Sequence, residues 1–132
     1  MTFPTLFRPS EHLVDDSAVT TGATVAVGSD ALGTLLTLTG EIDVSAAPHL
    51  ADAVARAERA AHRTSVDASG ITFMDSSGIA LLARLATRTP GPLRIIDPPE
   101  VVRFLLDVTR IGDMVEIVQG ADVTPDGGEF AA

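Results

Sequence analysis

In the stretch "TFMDSSGIALLARL", residues 72–85, an extended run ends in an acidic residue, two serines and a glycine, and a helical repeat starts at once. Ile79, Leu82, Leu85 and Ala86 recur at three- and four-residue spacing, which predicts a helix with one buried face. The preceding "TSVDASGITFM", residues 64–74, predicts a strand through Val66 that is broken near Gly70. A strand feeding directly into a helix is half of a parallel crossover unit. Asp75 or Ser76 has the character of a helix N-cap, worth about 1 kcal/mol. A cap needs only one such residue, so the serines leave three readings open: cap, nucleophile, or point of attachment.

The same alternation extends outward in both directions. Upstream, "ATVAVGSDALGTLLTLTGEID" predicts two short strands, Ala23 to Val27 and Leu35 to Thr39, joined by a turn. "SAAPHLADAVARAERAAHR" predicts a helix with Leu50, Val54, Ala57 and Ala61 on its inner face and Pro48 near its start, where a missing N–H costs little. Downstream, "GPLRIIDPPEVVRFLLDVTRIGDMVEIV" predicts strand, helix and strand, ending at Val118. Asp97 and Glu100 form a capping box there, with Pro98 and Pro99 in the first helical turn. Val102, Leu105, Leu106 and Thr109 make the inward face. The expected fold is α/β: a mixed, largely parallel sheet of about five strands, with three to four helices packed mainly on one face.

Residues 1–20 lack sustained periodicity and read as a flexible N-terminal extension; residues 21–119 form the domain, and 120–132 an acidic, glycine-rich tail. With 132 residues the chain has the size of a single domain. Its aromatic content of 4% implies a core of aliphatic side chains. No cysteine is present, which excludes disulfides, thiolate metal sites and thiol nucleophiles. All nine basic residues are arginine, so lysine Schiff bases and a Walker-type phosphate lysine are excluded as well. The formal charge of −9 repels nucleic acid and anionic membranes, and no basic patch offsets it. No apolar run reaches membrane-spanning length, and the first residues lack a basic leader, so a cytoplasmic location is expected.

The chemistry of catalysis finds little support. Met74 and Asp75 stand two before the serines, where a hydrolase elbow needs glycine. His12, His49 and His62 are not at metal-ligand spacing and read as surface residues; neither metal nor cofactor is expected. Glu41 and Asp43, two apart after a strand, project to one side if the extended conformation continues; they serve either as a carboxylate pair or as a strand terminus. For the serines, the flanking Gly78 lets a backbone come close to a bound group. The helix N-terminus adds free N–H donors, an environment suited to phosphate.

"GEIDVSAAPHL", "VDASGITFMDSSGIALLARL" and "DPPEVVRFLLDVTRIGDMVEIV" together resemble the STAS domain, in particular bacterial anti-sigma factor antagonists. The resemblance runs from about Ala23 to Val118, and Phe-Met-Asp-Ser-Ser-Gly is its most specific part. It implies a binding protein and not an enzyme. Its unphosphorylated form would hold an anti-sigma factor that is also a serine kinase, freeing a sigma factor; phosphorylation would end the complex, and a serine phosphatase would restore it. The family's acceptor corresponds to Ser76, with Ser77 as the substitute. Glu41, Asp43, Asp75, Ser76, Ser77 and Gly78 then form the partner-binding set. The alternative is an unphosphorylated STAS adaptor or scaffold subunit in a transport or stress-signalling complex.

Overall fold

The computed structural model describes residues 17–20, 22–30 and 33–120. Strands β1 (Ser17–Thr20), β2 (Ala23–Asp30) and β3 (Gly33–Ile42) come first. Helix α1 (Ala47–Ala60), strand β4 (Thr64–Met74), helix α2 (Ser76–Arg88), strand β5 (Leu93–Ile96) and helix α3 (Glu100–Val108) follow. A 3-10 turn (Ile111–Met114) then leads into β6 (Val115–Val118). The six strands lie in sequence order across one sheet. β1, β2 and β3 pair antiparallel, and β3 to β6 pair parallel.

The five expected strands are all present, and the sixth comes from within the expected extension, where Ser17–Thr20 pairs with the start of β2. The rest of that extension and the tail beyond Gly120 lie outside the described residues.

Each parallel step moves one place in the same direction across the sheet. Right-handed crossovers therefore put all three helices on one face. The core is the layer between: Leu36 and Leu38 of β3, Val66 of β4 and Ile95 of β5 meet Leu50 and Val54 of α1, Leu82 and Leu85 of α2, and Val102 and Leu106 of α3. The alternating burial of β3 shows the period-two pattern that produces this layering. The opposite face carries Thr37, Thr39, Ser65, Asp67 and Arg94, all partly exposed. Between the first two helices, Arg84 grips Glu58 with two hydrogen bonds, Nε to Oε2 at 2.6 Å and Nη2 to Oε1 at 2.9 Å. A pair this exposed adds at most about 1 kcal/mol.

Several sequence expectations are corrected. Ala61 and Thr109, expected on inward helix faces, are exposed C-caps just past the ends of α1 and α3. β4 is not broken at Gly70; it continues for 11 residues and bulges instead. Against β3 its register slips between Asp67 and Gly70 and again between Ile71 and Phe73. Each slip inserts a residue, bends the strand and resets which side chains face the core, so that Ile71 and Met74 are buried while Phe73 is exposed.

The capping box at Asp97 is absent. Pro99, not Asp97, is the N-cap of α3, with no side-chain cap, and neither proline is inside the helix. Proline forces the residue before it out of helical conformation, so the pair delays the helix to Glu100. Asp97 takes a left-handed conformation (φ 49°) and its carboxylate accepts from the Gly120 N–H at 2.8 Å.

Candidate functional site

The carboxyl ends of β3, β4 and β5 lie along one edge of the domain, because the strands are parallel. The loops there begin with Asp43, Asp75 and Asp97. The arginines of α1 and α2, namely Arg56, Arg59, Arg84 and Arg88, all stand in the later turns of their helices, toward the opposite end. The Asp-Ser-Ser-Gly segment thus lies on the edge where three successive loops each begin with a carboxylate.

Gly40 and Gly78 allow the strands and α2 to converge at this end. Gly40 has φ 81°, and a side-chain carbon there would stand 1.9 Å from the Gly22 carbonyl oxygen. That close approach lets Glu41 N–H donate to the same carbonyl at 2.7 Å. Gly78 is buried in the first turn of α2; a Cβ on it would lie 2.9 Å from Met74 Cγ and 3.1 Å from Ile42 Cγ2. Its missing side chain seats the helix start on the ends of β3 and β4. The Asp75 N–H donates to Ile42 O at 3.3 Å, which joins the loop to β3.

Asp75 is the N-cap. Its Oδ1 accepts from the N–H of Ser77 at 2.9 Å and of Gly78 at 3.4 Å, and from the Ser77 hydroxyl at 2.5 Å. The Ser77 hydroxyl bond, helped by those N–H groups, holds the Asp75 carboxyl below its ordinary value, while burial and the charge of Asp43 push the other way. Asp43 makes the same motif one loop away, accepting from the Ser45 hydroxyl at 2.7 Å and the Ser45 N–H at 3.0 Å. The Ser45 bonds depress its pKa as well.

The two serines are therefore distinct. The Ser77 hydroxyl is committed to Asp75 and half-buried. Ser76 is exposed, and among the described residues its hydroxyl has no hydrogen-bond partner. The expectation of free N–H donors for a phosphate is corrected in part: Asp75 already uses those of Ser77 and Gly78.

Glu41 and Asp43 are not drawn together as a pair. Glu41 lies within β3 with its carboxylate beside Gly22, whereas Asp43 closes on Ser45. His62 is exposed, His49 is half-buried and His12 lies outside the described residues; among those described, no cluster of metal-ligating side chains occurs.

Three residues of this end escaped the sequence reading. Ser45 locks Asp43, and Val44 and Phe73 are exposed apolar side chains, 73% and 46% accessible, in the two segments that carry Asp43 and Asp75. The spacing Asp-x-Ser occurs at 15–17, 43–45, 67–69 and 75–77; the first begins outside the described residues, and the other three form the same bonds. That spacing is a visible signal for Ser45; the exposure of Phe73 follows from the bulge, which has none.

Fold and site together define a two-layer α/β domain with an exposed serine at a helix start, among carboxylates, on the edge where the parallel strands end. The chain belongs to the STAS domain family: the family model described as "Mlab, STAS domain" matches residues 25–118. Among solved structures it is similar to an anti-sigma factor antagonist from Mycobacterium paratuberculosis. That likeness has 19% identity and a TM-score of 0.68, covering 83% of this chain and 92% of the other. It is also similar to the anti-sigma factor antagonist SpoIIAA in its unphosphorylated form, at 19% identity and a TM-score of 0.54, covering 70% of this chain and 86% of that one. No curated protein sequence matches it. No helix among the described residues is long and apolar enough to cross a membrane.

Proposed function

We propose that this protein is a cytoplasmic anti-sigma factor antagonist that works by binding rather than turnover. Unphosphorylated, it holds an anti-sigma factor that is also a serine kinase and so frees a sigma factor. ATP-dependent phosphorylation of Ser76 releases the kinase, and a serine phosphatase resets the switch. The observation that carries this reading is the contrast between the hydroxyls: Ser76 is exposed and, among the described residues, unbonded, while Ser77 is tied to Asp75. The similarity to two antagonists, one described in its unphosphorylated form, supports it.

The charge change is sufficient for a switch. Phosphate brings about two negative charges, and one partner carboxylate roughly 4 Å away costs about 2 kcal/mol at the dielectric of water. That corresponds to roughly thirtyfold in affinity. Asp43 and Asp75 add repulsion from within the chain. Relief comes when the phosphate swings outward, toward the surface a partner must cover.

Incubation with the cognate anti-sigma kinase and ATP is expected to add one phosphate, read by intact mass, and none to Ser76→Ala. Undiminished modification of that variant overturns the acceptor assignment. Ser76→Asp is expected to bind the kinase more weakly; equal binding overturns the switch. Stable, ATP-insensitive co-purification with a permease or ATPase complex is the signature of an adaptor instead.

A further inference from the structure

Two exposed apolar side chains, Val44 and Phe73, stand in the segments that carry Asp43 and Asp75. The register of β3 and β4 sets where they lie. Ile42 pairs with Met74, and both are buried beneath the helices. Glu41 pairs with Phe73 one rung earlier, and both are exposed, so they project from the opposite, helix-free face. The register slip between Ile71 and Phe73 turns this ring outward. Val44 comes two residues after Ile42, as Ser76 comes two after Met74, and the bond from Asp75 N–H to Ile42 O at 3.3 Å holds the two loops together.

Distance and charge decide what covers this pair. A protein that transfers phosphate to Ser76 must enclose its hydroxyl, and a standard interface takes about 800 Å² of each partner, a disc of about 16 Å radius. Phe73 is three residues from Ser76, at most about 11 Å along the chain, and lies inside a footprint centred on the serine. The ionisable groups of residues 40–50 and 70–80 are Glu41, Asp43, His49 and Asp75, with no arginine in either segment. The loop after β5 adds Asp97 and Glu100, followed by Arg103, which donates to Pro98 O at 3.2 Å. Two copies of this chain meeting here bring their carboxylates together, and an anionic membrane or nucleic acid meets the same repulsion. The occupant that fits is a protein with an apolar recess and cationic groups around it.

We infer that Phe73, supported by Val44, is the apolar anchor by which the anti-sigma kinase holds this domain, its footprint running from Ser76 over the strand ends onto the helix-free face. The inference rests on the function proposed above and adds to it the side chains that supply affinity, as distinct from the serine that switches it. An aromatic ring desolvated near the centre of an interface and rimmed by polar groups carries a large share of the binding energy. Phosphate on Ser76 then falls within the same footprint as the anchor, so one modification loosens the whole contact.

The probe is the purified kinase that phosphorylates Ser76 in the test above, titrated calorimetrically with the full chain and with ADP in place of ATP. Phe73→Ser is expected to weaken binding about tenfold or more, and Val44→Ser about threefold. Phe73→Leu, which keeps an apolar side chain, retains most of the affinity, and Phe104→Ser, at an exposed aromatic on α3, leaves it unchanged. With ATP, Phe73→Ser raises the KM for phosphate transfer about tenfold and leaves kcat unchanged, the mark of binding lost away from the reacting atoms. Circular dichroism and thermal unfolding check that each variant keeps its fold; should Phe73→Ser lose it, Phe73→Thr, better suited to a strand, carries the same expectation. Affinity unmoved by substitution of Phe73, or lost equally in Phe104→Ser, overturns the anchor even where Ser76 accepts phosphate and the switch stands. Absence of Ser76 phosphorylation in the wild type overturns switch and anchor together.

Discussion

Two helix starts in this domain have nearly the same sequence logic and opposite outcomes. At Asp75-Ser76-Ser77-Gly78 the carboxylate turns inward along the chain and caps α2; at Asp97-Pro98-Pro99-Glu100 it turns away and caps nothing. Both segments follow parallel strands and both open with aspartate. The difference lies in the residues after it. Ser77 and Gly78 offer N–H groups two and three positions on, whereas two positions after Asp97 stands Pro99, which has none, and with Pro99 as N-cap the helix starts only at Glu100. A carboxylate engaged by its own helix leaves the neighbouring serine exposed. A carboxylate without local donors becomes a long-range tie, here to Gly120.

The comparison breaks most severely at Gly78. Gly78→Val places side-chain atoms where Met74 and Ile42 already stand within about van der Waals contact, and one of the close atoms is the Ile42 carbonyl oxygen at 3.3 Å, which cannot rotate away. A loss of about 1–3 kcal/mol is expected from overpacking, measured by denaturant unfolding. No proline-led start such as that of α3 makes this demand, so an unaffected Gly78→Val would mean that α2 is not seated on the strand ends as described.

Asp75→Ala comes next. It removes the cap and is expected to cost about 1 kcal/mol. The effect depends on pH with a defined sign. The folded carboxyl titrates below its ordinary value of 3.8, chiefly because of the Ser77 hydroxyl bond. Its contribution is therefore present above that value and lost as pH falls through the folded pKa. The gap between wild type and Asp75→Ala should close on acidification, followed as chemical stability from neutral pH down to about pH 3. A constant gap would locate the effect in something other than the ionised cap. Removing the cap also frees the Ser77 hydroxyl and two N–H groups, so Asp75→Ala blurs the distinction between the serines on which the acceptor assignment depends.

Much of this contrast was legible in the sequence, and its limits are physical. The spacing of Ile79, Leu82 and Leu85 marks the buried face of α2, because burial follows period directly, whereas Leu35 to Thr39 was legible as a strand without its inward face. The cap at Asp75 was one of two candidates, and only geometry could choose between them. At Asp97 the same pattern misled: a capping box is defined by residue types at fixed offsets, and the consecutive prolines changed the offsets. The bulges in β4 depend on pairing with β3, which lies more than twenty residues away along the chain, so Phe73 had no local mark of exposure. The N-terminal strand was hidden because four residues at a sheet edge are too short to show a period.

The mildest test falls on Asp97, where two effects oppose each other. Its carboxylate holds Gly120 at 2.8 Å and, through that bond, the chain just after the edge strand. Removing a bond of this kind costs about 0.5–1.5 kcal/mol. Yet the residue also sits at φ 49°, a left-handed conformation that costs side-chain-bearing residues about 1 kcal/mol and glycine almost nothing. Asp97→Ala loses the bond and keeps the strain, so it should be the worse variant. Asp97→Gly loses the bond and sheds the strain, and should fall within about 0.5 kcal/mol of wild type, less some of the gain to the looser unfolded chain. Equal destabilisation by the two would mean that backbone strain at Asp97 is negligible and that the Gly120 tie alone sets its value. The same pair of substitutions at Asp75, where the backbone is extended (φ −113°), should show no such advantage for glycine from strain.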